Sequence, residues 1–219
     1  MTAWFEPAPS SIADLATVAL TALGGIFVLY QYGRSNYEAR ARAAADEIEK
    51  FGTDESVRTA LRLIDWHSGY IPYVDEAGTK HRRWFGALDY HLALRPHSMK
   101  RSGVAGYVLA EDAYATKLAA EGRECEDLFT PVEQYVRDIF DSFLGRLERI
   151  ESLISSGVVS QKNFGDFFSY WIRVIGDVKS SGDDLAHFSN RKRDTLVLYI
   201  NYYQFNGVIR LFARYGKDL

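Results

Sequence analysis

The sequence predicts an all-α protein in which an N-terminal transmembrane helix continues into a stalk and then a cytoplasmic helical bundle with at most one small β-hairpin. Three observations carry that expectation. The stretch from Ser11 to Tyr32 holds no Lys or Arg, and Asp14 is its only charge. Apolar residues recur at three- and four-residue spacing through most of the chain beyond Tyr32, the signature of helices with one buried face. The 14% aromatic content falls largely on those same segments, which implies a bulky core. At 219 residues the chain has room for one domain and an appendage.

Residues 1–10 read as an external leader and 11–33 as the membrane helix. As a helix, Ser11 to Tyr32 is about 33 Å long, enough to cross a bilayer. Tyr30 and Tyr32 mark one interface, and Trp4 and Phe5 precede the other. A secretory signal opens on basic residues, yet all 26 Lys and Arg follow Gly33, beginning with Arg34, Arg40, Arg42 and Lys50. The expected topology is therefore an uncleaved single pass, N-terminus outside and the rest cytoplasmic. The competing reading is a buried core helix of a soluble protein.

Residues 34–52 read as a helical stalk, with Tyr37, Ala41, Ala44, Ile48 and Phe51 in helical spacing. The domain then spans 53–219. Thr53 or Asp54 can cap a helix whose Val57, Leu61, Ile64 and Trp66 face the core. SGYIPYVDEAGTKHRRW has short apolar runs around a DEAG turn signal and is the one candidate hairpin. Residues 86–125 predict one or two helices interrupted by Pro96, Gly103 and Gly106. Thr130, Pro131 and Glu133 form a capping box for a long helix, and Gly157 stops it. Val132, Tyr135, Val136, Ile139, Phe140, Phe143, Leu144, Leu147, Ile150 and Ile154 make its apolar face. NFGDFFSYWIRVIGDV predicts a further helix with Phe164, Phe167, Phe168, Trp171, Val174, Ile175 and Val178 inward. The last expected helix opens after Arg191-Lys192-Arg193 and closes at Gly216, with Leu198, Tyr202, Phe205, Ile209 and Phe212 in the core.

Composition narrows the chemistry. A net charge of −3 and a pI near 6.0 give no general attraction to nucleic acid. One cysteine, Cys125, allows no intrachain disulfide and no Cys-based zinc site, and its acidic neighbours disfavour a thiolate. Phosphate-loop, dinucleotide and nucleophile-elbow motifs are absent. His81, His91, His97 and His187 follow no metal-ligand spacing and read as surface residues, so neither a metal nor another cofactor is expected. Arg62 and His67 form an R-x4-H pair similar to the signature of HEPN ribonucleases, which implies phosphate contact by Arg62 and proton transfer by His67; structural roles are the competing reading. Arg34, the basic cluster Lys80, Arg82 and Arg83, and the trio Arg191, Lys192 and Arg193 are candidate contacts for anionic lipid, RNA or an acidic partner, or else solvated loop charges.

Within the membrane helix, Asp14, Thr17, Thr21, Gly24, Gly25, Val28 and Gln31 lie on one stripe of small and polar residues, a composition that favours close helix-helix association. Lipid bilayer and a homo-oligomer are thus the expected partners, with a cytoplasmic protein or RNA left open. The membrane helix with ALRLIDW, FDSFLGRLERIESLISSGVVS and FFSYWIRVIGD resembles a group of uncharacterised bacterial single-pass proteins, which implies an inner-membrane location. Its architecture is also similar to that of the pore-forming membrane protein accompanying type VI-B CRISPR effectors. That likeness implies a membrane-perturbing role in bacterial defence, although R-x4-H stands at a different place here. A non-enzymatic membrane adaptor and an anchored ribonuclease are the alternative expectations.

Overall fold

A computed structural model describes residues 12–66, 68–74, 78–104, 120, 129–178 and 186–219. Helix α1, Ile12–Thr53, runs unbroken through both the predicted membrane segment and the stalk. Its length and composition suffice to cross a membrane. From Ala16 to Ala43 its residues are exposed, with Leu20 at 70% and Leu29 at 71%. Leaving such apolar area in water costs roughly 25 cal/mol per Å², so this surface calls for an apolar surrounding.

Asp54 ends α1 and caps helix α2, Glu55–Asp65, its carboxylate accepting from the Ser56 and Val57 amides at 3.0 and 3.2 Å. The predicted hairpin is present as β1, Gly69–Val74, and β2, Lys80–Phe85, antiparallel with Tyr70 opposite Trp84 and Pro72 opposite Arg82. Helix α3, Ala87–Ala93, and a 3-10 turn, Arg101–Gly103, come next. The expected helices between Gly106 and Cys125 lie outside the described residues apart from Ala120.

Helix α4, Pro131–Ser155, is the central beam. The Thr130 hydroxyl accepts from the Glu133 amide at 3.1 Å, and Glu133 accepts from the Thr130 amide at 3.2 Å, completing the predicted box. Phe140, Phe143, Leu144 and Leu147 lie at its buried heart, and Gly157, at φ 71°, takes the left-handed turn after it. Helix α5, Gln161–Gly176, is capped by Ser160. Its inward face is Phe164, Phe168, Ile172 and Ile175, so Phe167 and Val178 are more exposed than their spacing suggests.

The C-terminal region departs furthest from expectation. The sequence predicts one helix from Asp194 to Gly216; two form, α6 at Ala186–Tyr202 and α7 at Asn206–Ala213. Gln204 adopts φ 57° between them, and the redirected chain brings Phe205 onto Tyr199, ring centroids 6.3 Å apart. The buried set is Leu196, Tyr199 and Ile200 on α6 and Val208, Leu211 and Phe212 on α7, and the phase of α6 leaves Leu198 and Tyr202 outward. Gly207 packs against Glu148, where an added Cβ would meet side-chain atoms at 2.9 Å, and its amide donates to the Glu148 carboxylate at 2.8 Å.

The end of α1 docks antiparallel to α4. Glu47 pairs with Arg149 at 2.9 Å, Phe51 meets Phe143 and Asp54 meets Arg146. The hairpin instead lies toward the start of α4, where Tyr73 packs on Tyr135 at 6.2 Å.

Candidate functional site

Three surfaces contain the residues singled out by sequence. On α1 the Thr21 hydroxyl donates to the Thr17 carbonyl at 2.8 Å. This intrahelical bond satisfies the hydroxyl in an apolar environment without a second chain. Gly24 and Gly25 have no side-chain or tertiary atom within 4 Å of where a Cβ would stand, so that face is open. Gln31 is exposed beyond them. Asp14 belongs to the helix, but its side chain lies outside the described residues. Arg34 pairs with Glu38 at 3.1 Å, one turn along.

The stripe and the domain occupy different sides of α1. Ala44 and Phe51 are buried against the domain, Ile48 packs beside them, and Glu47 binds Arg149. At about 100° per residue, the mean direction of Thr17, Thr21, Gly24, Gly25, Val28 and Gln31 lies roughly 150° from that of the domain-bearing residues. Both faces belong to one continuous helix, so the stripe looks away from the domain.

The second surface is the hairpin. Lys80, Arg82 and Trp84 share its outer face with Tyr70 and Pro72, whereas Ile71 and Phe85 point into the core. Arg82 lies 5.1 Å from the Tyr70 ring centre, and Tyr70 and Trp84 meet edge to face at 5.2 Å. Arg83 reaches Asp89 at 3.8 Å on the inner side. Between the hairpin and α2 runs a cleft of about 80 Å³ lined by Glu55, Arg62, Trp66, Tyr70 and Lys192, among others. Arg62 is exposed on its rim. His67 lies outside the described residues, so only half of the R-x4-H pair has a position. Trp66 is exposed at 55%, contrary to its expected core role; it terminates α2 in an extended conformation and so turns away from the apolar face.

The basic trio is the third surface, and its expected loop is helix. Arg191 is exposed and Arg193 donates to the Asp218 carbonyl at 3.2 Å. Lys192 is buried, donating to the Leu63 and Trp66 carbonyls at 2.5 Å each. The ammonium satisfies backbone acceptors at the end of α2, and burial lowers its pKa to about 8. It is a structural clamp between α2 and α6, not a solvated contact.

A charged cluster that sequence reasoning missed joins α3 to α4. Glu133 accepts from Arg95 at 3.1 Å and from Arg101 at 2.8 Å, all three being buried. Arg137 donates to the Ala93 and Arg95 carbonyls at 2.9 Å and to the Tyr203 hydroxyl at 2.7 Å. The Phe129 ring sits 3.8 Å from the Arg95 guanidinium and 4.2 Å from that of Arg137. Glu133 is legible as a helix cap, but partners more than thirty residues away leave no local pattern.

Among the described residues, His81, His91 and His97 gather no ligand set. His91 contacts the Thr195 hydroxyl at 2.6 Å, and burial with Arg191 nearby lowers its pKa to about 4, so it is neutral near pH 7 and less exposed than expected. His97 bonds Tyr203, while His81 stacks on Tyr73 at 5.1 Å. The His187 side chain and Cys125 lie outside the described residues. Among the described residues no group of three His, Cys, Asp or Glu could hold a metal. No protein-family model, curated protein or solved structure matches the chain. Fold and surfaces define a helical protein with one membrane-competent helix, a small hairpin and an outward basic-aromatic face.

Proposed function

We propose that this is a non-enzymatic membrane scaffold: α1 anchors it in a bacterial inner membrane, N-terminus outside, and self-associates so that several cytoplasmic domains are held together. The observation that carries this reading is the opposed placement of stripe and domain. Chains meeting through Thr17, Thr21, Gly24 and Gly25 keep their domains on the outside of the cluster, free of one another. Dry helix-helix packing leaves the Thr21 hydroxyl satisfied within its own helix.

Mass measurement of the full chain in detergent tests the reading. Wild type is expected to exceed one chain in mass, and Gly25→Leu to fall to a monomer with an unchanged melting temperature, since open space surrounds that position. A monomeric wild type, or an oligomer indifferent to Gly24→Leu and Gly25→Leu together, refutes association through the stripe. Ion leakage from loaded vesicles that Thr21→Leu abolishes would restore the pore.

A further inference from the structure

The geometry points to a binding site for single-stranded nucleic acid that runs from the outer face of the hairpin to the cleft beside α2, with bases stacking on Trp84 and Trp66 and phosphates meeting Arg62, Lys80 and Arg82. Large aromatic side chains ordinarily hide; here Trp66, Tyr70 and Trp84 are 55%, 57% and 53% exposed, Trp66 and Tyr70 lining the cleft and Tyr70 and Trp84 facing each other across the strand pair. The arrangement is held in place without being covered. Arg82 lies over Tyr70, Tyr70 abuts the edge of Trp84, and Trp66 packs beside Gly69, whose added Cβ would stand 3.4 Å from the indole.

The charges are available as well. Arg83 has Asp89, whereas among the described residues Arg62, Lys80 and Arg82 have no ion-pair partner. Glu55 is the carboxylate in the cleft lining and sits at the opposite end of α2 from Trp66. Cations interleaved with exposed rings match a chain of bases and phosphates, in which each unit offers a flat face and a negative charge. An acidic peptide would use the cations and leave the tryptophans idle. A lipid head group offers the phosphate but no flat base for the exposed rings. Every contributing residue belongs to one chain, so the site does not depend on self-association.

The test is fluorescence anisotropy of the full chain in a neutral detergent with a labelled uridine oligomer of about 12 nucleotides, a length within the span of known single-strand sites. Wild type is expected to bind with a log-log salt slope of about −2, from three phosphate contacts on a single strand. Trp84→Ala is expected to weaken binding about tenfold, the loss of one stacked base, and Arg82→Gln to make the salt slope shallower. Because these side chains are exposed, circular dichroism and melting should match wild type. Gly25→Leu should bind as wild type does, which separates this site from the scaffold reading. Absence of binding overturns the proposal. So does equal binding by Trp84→Ala and Trp66→Ala, or full competition by polyglutamate, which assigns the face to acidic protein. Full competition by short-chain phosphatidylserine would assign it to lipid.

Discussion

Phe51→Ala should loosen the domain from α1. The Phe51 ring is 2% exposed and meets Phe168 at 5.4 Å, Phe164 at 5.6 Å, and Phe143 and Phe167 at 6.4 Å. It is the plug through which α1 engages both α4 and α5. Truncating a fully packed phenylalanine costs about 3–5 kcal/mol, the spread reflecting how far the site collapses. The other attachments cannot replace it: Ala44 is small, and the Glu47–Arg149 pair is too solvated on its arginine side to contribute much. For a chain of this size each kcal/mol moves the melting temperature by roughly 2–4 °C, so a fall of about 6–20 °C is expected by tryptophan fluorescence. Hydrogen exchange should quicken first at amides 44–53. Phe51→Leu, which keeps most of the volume, should lose clearly less. A melting temperature within about 2 °C of wild type, with exchange at 44–53 unchanged, would refute the argument that this ring couples the two parts.

Glu133→Gln keeps shape but removes the carboxylate shared by Arg95 and Arg101; a loss of about 3–5 kcal/mol in urea titration is expected, against about 1 kcal/mol for Thr130→Ala, which removes only the cap. Equal losses would show that the charge cluster contributes nothing beyond capping. Acid sensitivity should map in part to Glu151. Burial pushes its carboxyl up, but hydrogen bonds from Arg214 and Ser155 more than offset this and hold it below its ordinary 4.5. Its stabilising contribution is therefore complete above about pH 4.5 and fades as pH falls through the lowered value. Glu151→Gln should flatten melting temperature against pH below 4.5, and an unchanged slope would contradict the assignment.

Where periodicity and chemistry coincide locally, the sequence reading holds. The capping box at Thr130, the face of α4 and the pairing of β1 with β2 depend on neighbours close along the chain. The split between α6 and α7 depends instead on Gln204 in the left-handed region, and YYQFN contains no Gly or Pro to announce it. Tertiary packing of Phe205 on Tyr199 decides that bend. Lys192 escapes a sequence reading for a related reason: a lysine clamp on α2 acts across some 129 residues of sequence, and a run of three basic residues looks the same whether one of them is buried or none. The hairpin's basic and aromatic residues are visible in the sequence, but their shared outward face emerges only from the register that puts Tyr70 opposite Trp84.

The unbroken course of α1 makes residue count a phase setting. Between Gly33 and Ala43 the helix is exposed along its length, yet every residue there turns the domain by about 100° about the helix axis. Two extra residues would swing it by about 200°, onto the side of the stripe, where copies in the proposed assembly would contend for one volume. Seven would return it to within about 20° of its present bearing and raise it about 10 Å. The stalk can therefore tolerate change in length far more readily than change in register.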